Sequence, residues 1–190
     1  NLSGDKNNLT VKDLSFNFAD KLKGKTSVVV KDFAKPSYSG SLDLEKFNLN
    51  QLLDSLNIAV AARKNKPLLN NFAISSNGFS GDMQNISLKG LQISAGDSLK
   101  ASFGTLRVQN FSNPSVSGDV SLPTFNLNQT LDGLGIAVAE RKNKSLLNSF
   151  AFSGGFNATP TAANLSNVKI SAGGLVNATL GKLAVQNFSK

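Results

Sequence analysis

Cysteine, histidine and tryptophan are absent from all 190 residues, and methionine and tyrosine occur once each, at Met83 and Tyr38. These absences exclude thiolate nucleophiles, Cys/His zinc sites and imidazole acid–base catalysis. Carboxylate chemistry stays open, and a Cys-free chain is compatible with either redox compartment. The aromatics are almost all Phe, which leaves little for a base-stacking platform on single-stranded nucleic acid. No apolar run approaches the ~18 residues of a membrane span, and no signal peptide is visible. What is in excess is positive charge, formally +8. It could mean nucleic acid, an anionic membrane surface or solubility alone. The basic residues are scattered singly or in twos, as on solvated faces, so no nucleic-acid partner is expected.

A length of 190 residues admits one sizeable domain or a few stacked repeats, and a repeat is there. "PSYSGSLDLEKFNLNQLLDSLNIAVAARKNKPLLNNFA" from Pro36 returns as "PSVSGDVSLPTFNLNQTLDGLGIAVAERKNKSLLNSFA" from Pro114. The match runs on through "ISAG" at Ile93 and Ile170 to "VQNFS" at Val108 and Val185, a period of about 78 residues. One residue is missing from the second copy between Phe152 and Leu165, where a tolerant loop is expected. "SVVVKDFAKPS" from Ser27 matches "TLRVQNFSNPS" from Thr105. The expected organisation is therefore 1–34 as the tail of a preceding repeat, then repeat units 35–112 and 113–190, all part of a longer repeat domain.

Within a unit, apolar and polar residues alternate as in half-buried strands. Ile86 and Leu88 share one parity, Leu91 and Ile93 the other, with Gly90 between; Leu99, Ala101 and Phe103 give way to Leu106 and Val108 across Gly104. Both patterns predict a bulge that restores the face. Tyr38, Leu42 and Leu44 alternate with serines and acids, and a further strand is expected over Leu69 to Phe79. Joints such as "SGD" at 80–82 and "AGD" at 95–97 are short enough for hairpins, hence an antiparallel meander. One helix interrupts each unit. Leu49, Leu52, Leu53 and Leu56 form a single apolar stripe, with Asn48 as N-cap, Gln51 in capping-box position and Asn57 as a left-handed stop. Asn126, Gln129 and Gly135 repeat these signals. The fold class that follows is mainly β: a long curved antiparallel sheet, groove-like or sandwich-like, with one short amphipathic helix per repeat.

A sheet of this kind has one apolar and one polar face, and the helices are too short to cover the first. The candidate apolar site is Ile86, Leu88, Leu91, Ile93, Leu99, Ala101, Phe103, Leu106 and Val108, continued by Leu165, Val168, Ile170, Val176, Ala178, Leu180, Leu183 and Val185. The plain alternative is an ordinary sandwich core. The basic loops, with Arg63, Lys64 and Lys66 in one copy and Arg141, Lys142 and Lys144 in the other, could meet phosphate headgroups or be merely solvated. No acidic pair suggests catalysis, no nucleotide-binding glycine motif stands between strand and helix, and neither metal nor cofactor is expected.

The run "KTSVVVKDFAKPSYSGSLDLEKFNLNQLLDSL", with its copy "GTLRVQNFSNPSVSGDVSLPTFNLNQTLDGL", resembles the AsmA family of Gram-negative envelope proteins, whose segments run strand, "F-x-x-P", strand, then "F-(D/N)-L-(N/D)-x-L-L" into a short helix. "FSGDMQNISLKGLQISAGDSLKASFGTLRVQNF" is similar to the family's paired strands. The resemblance implies a protein related to bridge-like lipid-transfer proteins. It would be anchored in the inner membrane by a segment outside this chain and cross the periplasm. Its apolar β-groove would carry phospholipid or other acyl lipid toward the outer membrane. Such work breaks no bond and needs no catalytic residue. Two other readings stand beside it: a structural or adhesive array with its apolar faces sealed, and a glycan hydrolase, which needs paired carboxylates across a cleft.

Overall fold

Eight of the ten joints between strands are three to five residues long and leave a strand nowhere to pair except beside its predecessor, and in the computed structural model the two longer, helix-bearing joints also return the chain to its last neighbour. The structure describes residues 1–58, 67–136 and 144–186. Its strands are β1 (Leu2–Gly4), β2 (Asn8–Phe18), β3 (Leu22–Lys31), β4 (Ser37–Leu44), β5 (Phe72–Gly81), β6 (Asn85–Ala95), β7 (Leu99–Gln109), β8 (Ser115–Phe125), β9 (Phe150–Ala158), β10 (Ala162–Ala172) and β11 (Val176–Gln186). All belong to one open antiparallel sheet, in sequence order. At ~4.8 Å between strands and ~3.3 Å per residue, the sheet is about 50 Å wide and 35 Å tall.

Two hairpin joints are built alike. The Asp82 carboxylate accepts from the Gln84 and Asn85 backbone N–H groups at 2.8 and 2.9 Å, and Asp5 does the same for Asn7 and Asn8 at 2.7 and 2.8 Å. The backbone donors Gln84 and Asn7, followed by the Asn85 and Asn8 side chains, hold both carboxyls below the usual aspartate range.

The expected face-restoring switches are present, but in a different form. Ile86 pairs with Val108 and Leu88 with Leu106; beyond Gly90, Leu91 pairs with Phe103 and Ile93 with Ala101, without any register shift. Both strands change parity at one level, Gly90 with a φ of +56°. The shifts lie at the borders of this zone, between β4 and β5 at Gly40/Leu42 and between β7 and β8 at Ser102/Leu106. Asp119 of β8 closes the second border, accepting from Gly104 N–H at 2.8 Å and Thr105 N–H at 3.3 Å.

The missing residue of the second copy falls within a strand, not in a loop. β9 has 9 residues where β5 has 10, with the loss at Ser76–Asn77. As a result β9 stays in register with β8 through that level, and the shift moves one strand on, to β9/β10 at Ser166/Lys169, beside Asn167 with a φ of +49°. The bulge has absorbed the deletion.

The helices close one end of the sheet, as their stripe predicts. α1 (Leu49–Ser55) and α2 (Leu127–Gly133) are N-capped by Asn48 and Asn126, each accepting from the N–H three residues on at 3.0 Å. Asn57 and Gly135 take positive φ, and each helix ends in the paired bonds of a Schellman stop: Ile58 N–H to Leu53 O with Asn57 N–H to Asp54 O, and Ile136 N–H to Leu131 O with Gly135 N–H to Asp132 O. The stripe is buried at Leu52, but its last member, Leu56, is 44% exposed because the chain turns away there. The strand expected from Leu69 starts at Phe72; Pro67–Asn70 forms a 3₁₀ turn that buries Leu68 under the sheet end. The second copy places the one-turn helix α3 (Lys144–Leu147) there. Phe47 meets Phe72, and Phe125 meets Phe150, with ring centroids 5.7 Å apart in both copies. Asn48→Ala or Asn126→Ala is expected to cost about 1 kcal/mol each, checked by urea denaturation, with Asn57→Gly near neutral as the control.

Candidate functional site: an uncovered apolar face

Directly paired residues of an antiparallel sheet share a face, so register assigns every side chain. All seventeen predicted apolar positions lie on one face. The β6–β7 set is joined to Leu165↔Leu183, Val168↔Leu180 and Ile170↔Ala178 through β8 and β9, where Val108 pairs with Val116, Gly118 with Phe156 and Leu122 with Phe152. Sequence reasoning missed the middle of this surface. Phe152, Phe156, Val116, Val120 and Leu122 were not expected, because Gly118 and Gly154 interrupt their alternation. β2 to β5 extend the face with residues such as Phe16, Val28, Leu42 and Phe79. No lysine, arginine, aspartate or glutamate of β3 to β11 stands at a position on it.

Glycines shape its relief. Phe103 and Phe156 sit on strands separated by β8, yet their rings meet edge to face at 6.3 Å over the Gly118 strand. Over Gly24, Phe16 and Leu44 approach from the strands on either side, so that a Cβ there would come within 3.0 and 2.9 Å of them. A Cβ at Gly118 would strike Thr105 O at 2.4 Å, whereas one at Gly181 meets nothing within 4 Å. Gly118→Ala is therefore expected to destabilise by about 1–3 kcal/mol and Gly181→Ala by less than about 0.5 kcal/mol, read from thermal and urea unfolding of the two variants.

The few polar groups on this face are turned inward. Tyr38 Oη donates to Asn85 O at 3.3 Å, Ser76 Oγ to Lys89 O at 3.0 Å and Thr26 Oγ1 to Ser41 O at 2.8 Å. What they leave outward is hydrocarbon.

Nothing in the described chain covers this hydrocarbon. No strand packs face to face on another; substantial contacts join only neighbouring strands, and the helices touch one end. Buried apolar residues are confined to that end and to the parity switches: Phe47, Leu52, Leu68, Ala95, Phe125 and Ala172, with Leu91 and Val168. On β11, Val176, Leu180, Leu183 and Val185 are 43–46% exposed. The solvent-accessible surface is 12147 Å², against about 8,700 Å² for a compact monomer of 20 kDa. An exposed apolar patch on a typical monomer reaches only ~300–600 Å², whereas this face runs over a sheet about 50 Å wide and 35 Å tall.

The basic-loop residues Arg63, Lys64, Lys66, Arg141 and Lys142 lie outside the described residues, and Lys144 opens α3, exposed. Among the described residues no three acidic side chains converge as a metal site, and no helix is long and apolar enough to cross a membrane.

The chain thus defines a class: a single-layer antiparallel β-meander with one hydrocarbon face and one hydrophilic face. Comparison with family models, with curated proteins and with solved structures gives no match.

Proposed function

We propose that the apolar face binds acyl lipid, sheltering hydrocarbon chains from water, and that the protein is an AsmA-like envelope component passing phospholipid between the inner and outer membranes. The observation that carries this reading is the continuous apolar face, free of charged positions from β3 to β11 and uncovered by any described residue. Each buried CH₂ contributes about 0.8 kcal/mol, so an acyl chain laid on such a surface is strongly held without any polar anchor. Because the polar groups of the face are satisfied internally, it selects for hydrocarbon and not for a headgroup. The sealed structural array requires that a second apolar surface cover this one.

Site-specific photo-crosslinking in the full-length protein in cells separates the two. With the probe at Phe103, phospholipid adducts are expected; at Lys89, on the opposite face, none. Protein adducts alone at Phe103 would replace lipid carriage with a sealed array.

A further inference from the structure

The hydrophilic face carries a feature of its own. Two hollows, of about 360 and 450 Å³, open on it near the helix-bearing end, side by side and both bordered by Pro123. They occupy equivalent places in the two repeats. Ser75, Ser94, Lys100 and Ser102 line the first; Ser153, Lys169, Ser171 and Thr179 line the second. Side chains here are short, which is why the surface is recessed, and they offer hydroxyl and ammonium donors with no carboxylate in either hollow.

The wider face has the same sign. Strands β5 to β11 carry five cations, Lys89, Lys100, Arg107, Lys169 and Lys182, against one acid, Asp119. That acid is engaged with the Gly104 and Thr105 N–H groups. None of the five cations is in an ion pair among the described residues. Register places all five opposite polar partners such as Thr105, Ser94, Ser87 and Ser166, away from the hydrocarbon.

From the recessed shape and the unopposed charge we infer that the hydrophilic face of β5–β11 is a second binding surface, for a flexible phosphate-bearing polymer whose anionic groups enter the two hollows beside Lys100 and Lys169. A flat bilayer cannot reach into a recess, whereas a flexible chain can. The absence of aromatic side chains from the lining polar positions removes stacking and leaves phosphate contact as the source of affinity.

The probe is inorganic polyphosphate, fluorescently labelled, titrated into the 190-residue chain and followed by anisotropy. Five phosphate contacts predict affinity about 100-fold weaker at 200 than at 50 mM salt. The double variant Lys100→Ala/Lys169→Ala is expected to bind about tenfold more weakly or worse. Lys6→Ala/Lys35→Ala, which removes the same charge from hairpin joints, should change affinity less than about twofold. Equal losses in the two double variants would reduce the effect to net charge and overturn the proposal, as would no binding of polyphosphate. Binding to phosphatidylglycerol vesicles that polyphosphate fails to compete would overturn it in favour of a bilayer. Phe103→Glu, on the other face, should leave polyphosphate affinity unchanged, so failure here and failure of the lipid reading are separable.

Discussion

Removing Asn77 is expected to leave the sheet folded, while removing Val28 is expected to unfold much of it. Both are single-residue deletions inside strands, and a one-residue slip normally sends every side chain beyond it to the wrong face. The difference lies in where slack is stored. β5 carries one residue more than β4 needs across the Gly40/Leu42 level. Deleting Asn77 removes that surplus and recreates the arrangement of β9, which runs in register with β8 from Val116 to Leu122 and passes the shift to β10. The positive φ of Gly90 is already in place to receive it. The expected cost is below about 2 kcal/mol. β3 has no such surplus: it pairs with β4 without interruption from Gly24 to Lys31, and against β2 it is already the shorter strand at the Val11/Leu14 shift. Deleting Val28 must turn either Val30 or Leu22 and its neighbours outward, at about 3–5 kcal/mol from lost apolar burial alone. Urea midpoints, with hydrogen exchange of the β3 amides, decide the matter. Equal losses would mean that the parity switch holds no slack.

Phe103→Glu is expected to abolish lipid association without unfolding the chain. Phe103 is partly exposed in the middle of the apolar face, so a carboxylate there can still reach water in the lipid-free protein. Under an acyl chain it cannot, and leaving a polar group desolvated and unpaired costs several kcal/mol. With 1.4 kcal/mol per tenfold, lipid recovered with the protein should fall by about 100-fold or more. Gln109→Glu adds the same charge on the opposite face and should change nothing. Mass spectrometry of extracted lipid, with circular dichroism to confirm folding, is the measurement. Undiminished lipid in Phe103→Glu would place the lipid elsewhere.

Much of this architecture was legible in the chain. Alternation marked the strands, the shortness of joints such as 80–82 dictated the sequential meander, and Asn48 with Asn57 framed the helix that α1 became. The repeat made each signal readable twice. What escaped reading has identifiable causes. Gly118 and Gly154 occupy apolar-face positions, so β8 and β9 look too weakly patterned to belong to the site, although they join its two halves. The absent residue looked like loop variation because sequence comparison cannot tell a loop from a bulge. The placement of Leu56 outside the core depends on where the chain turns after Asn57, which the stripe alone does not encode. The direction of the two glycine switches was readable from parity; that β6 and β7 switch together, and therefore need no shift between them, is a property of paired strands.

The strand order has a mechanical consequence. Among the described residues each strand's backbone is paired only with the strand before it and the strand after it, so no ladder ties one side of the sheet to the other. Tension applied along the width of the sheet meets a single ladder at a time. The molecule should peel strand by strand at low force, as a zipper opens, and should re-form by the same local steps. An extended sheet of this design can bend and recover where a closed barrel of the same size would have to rupture.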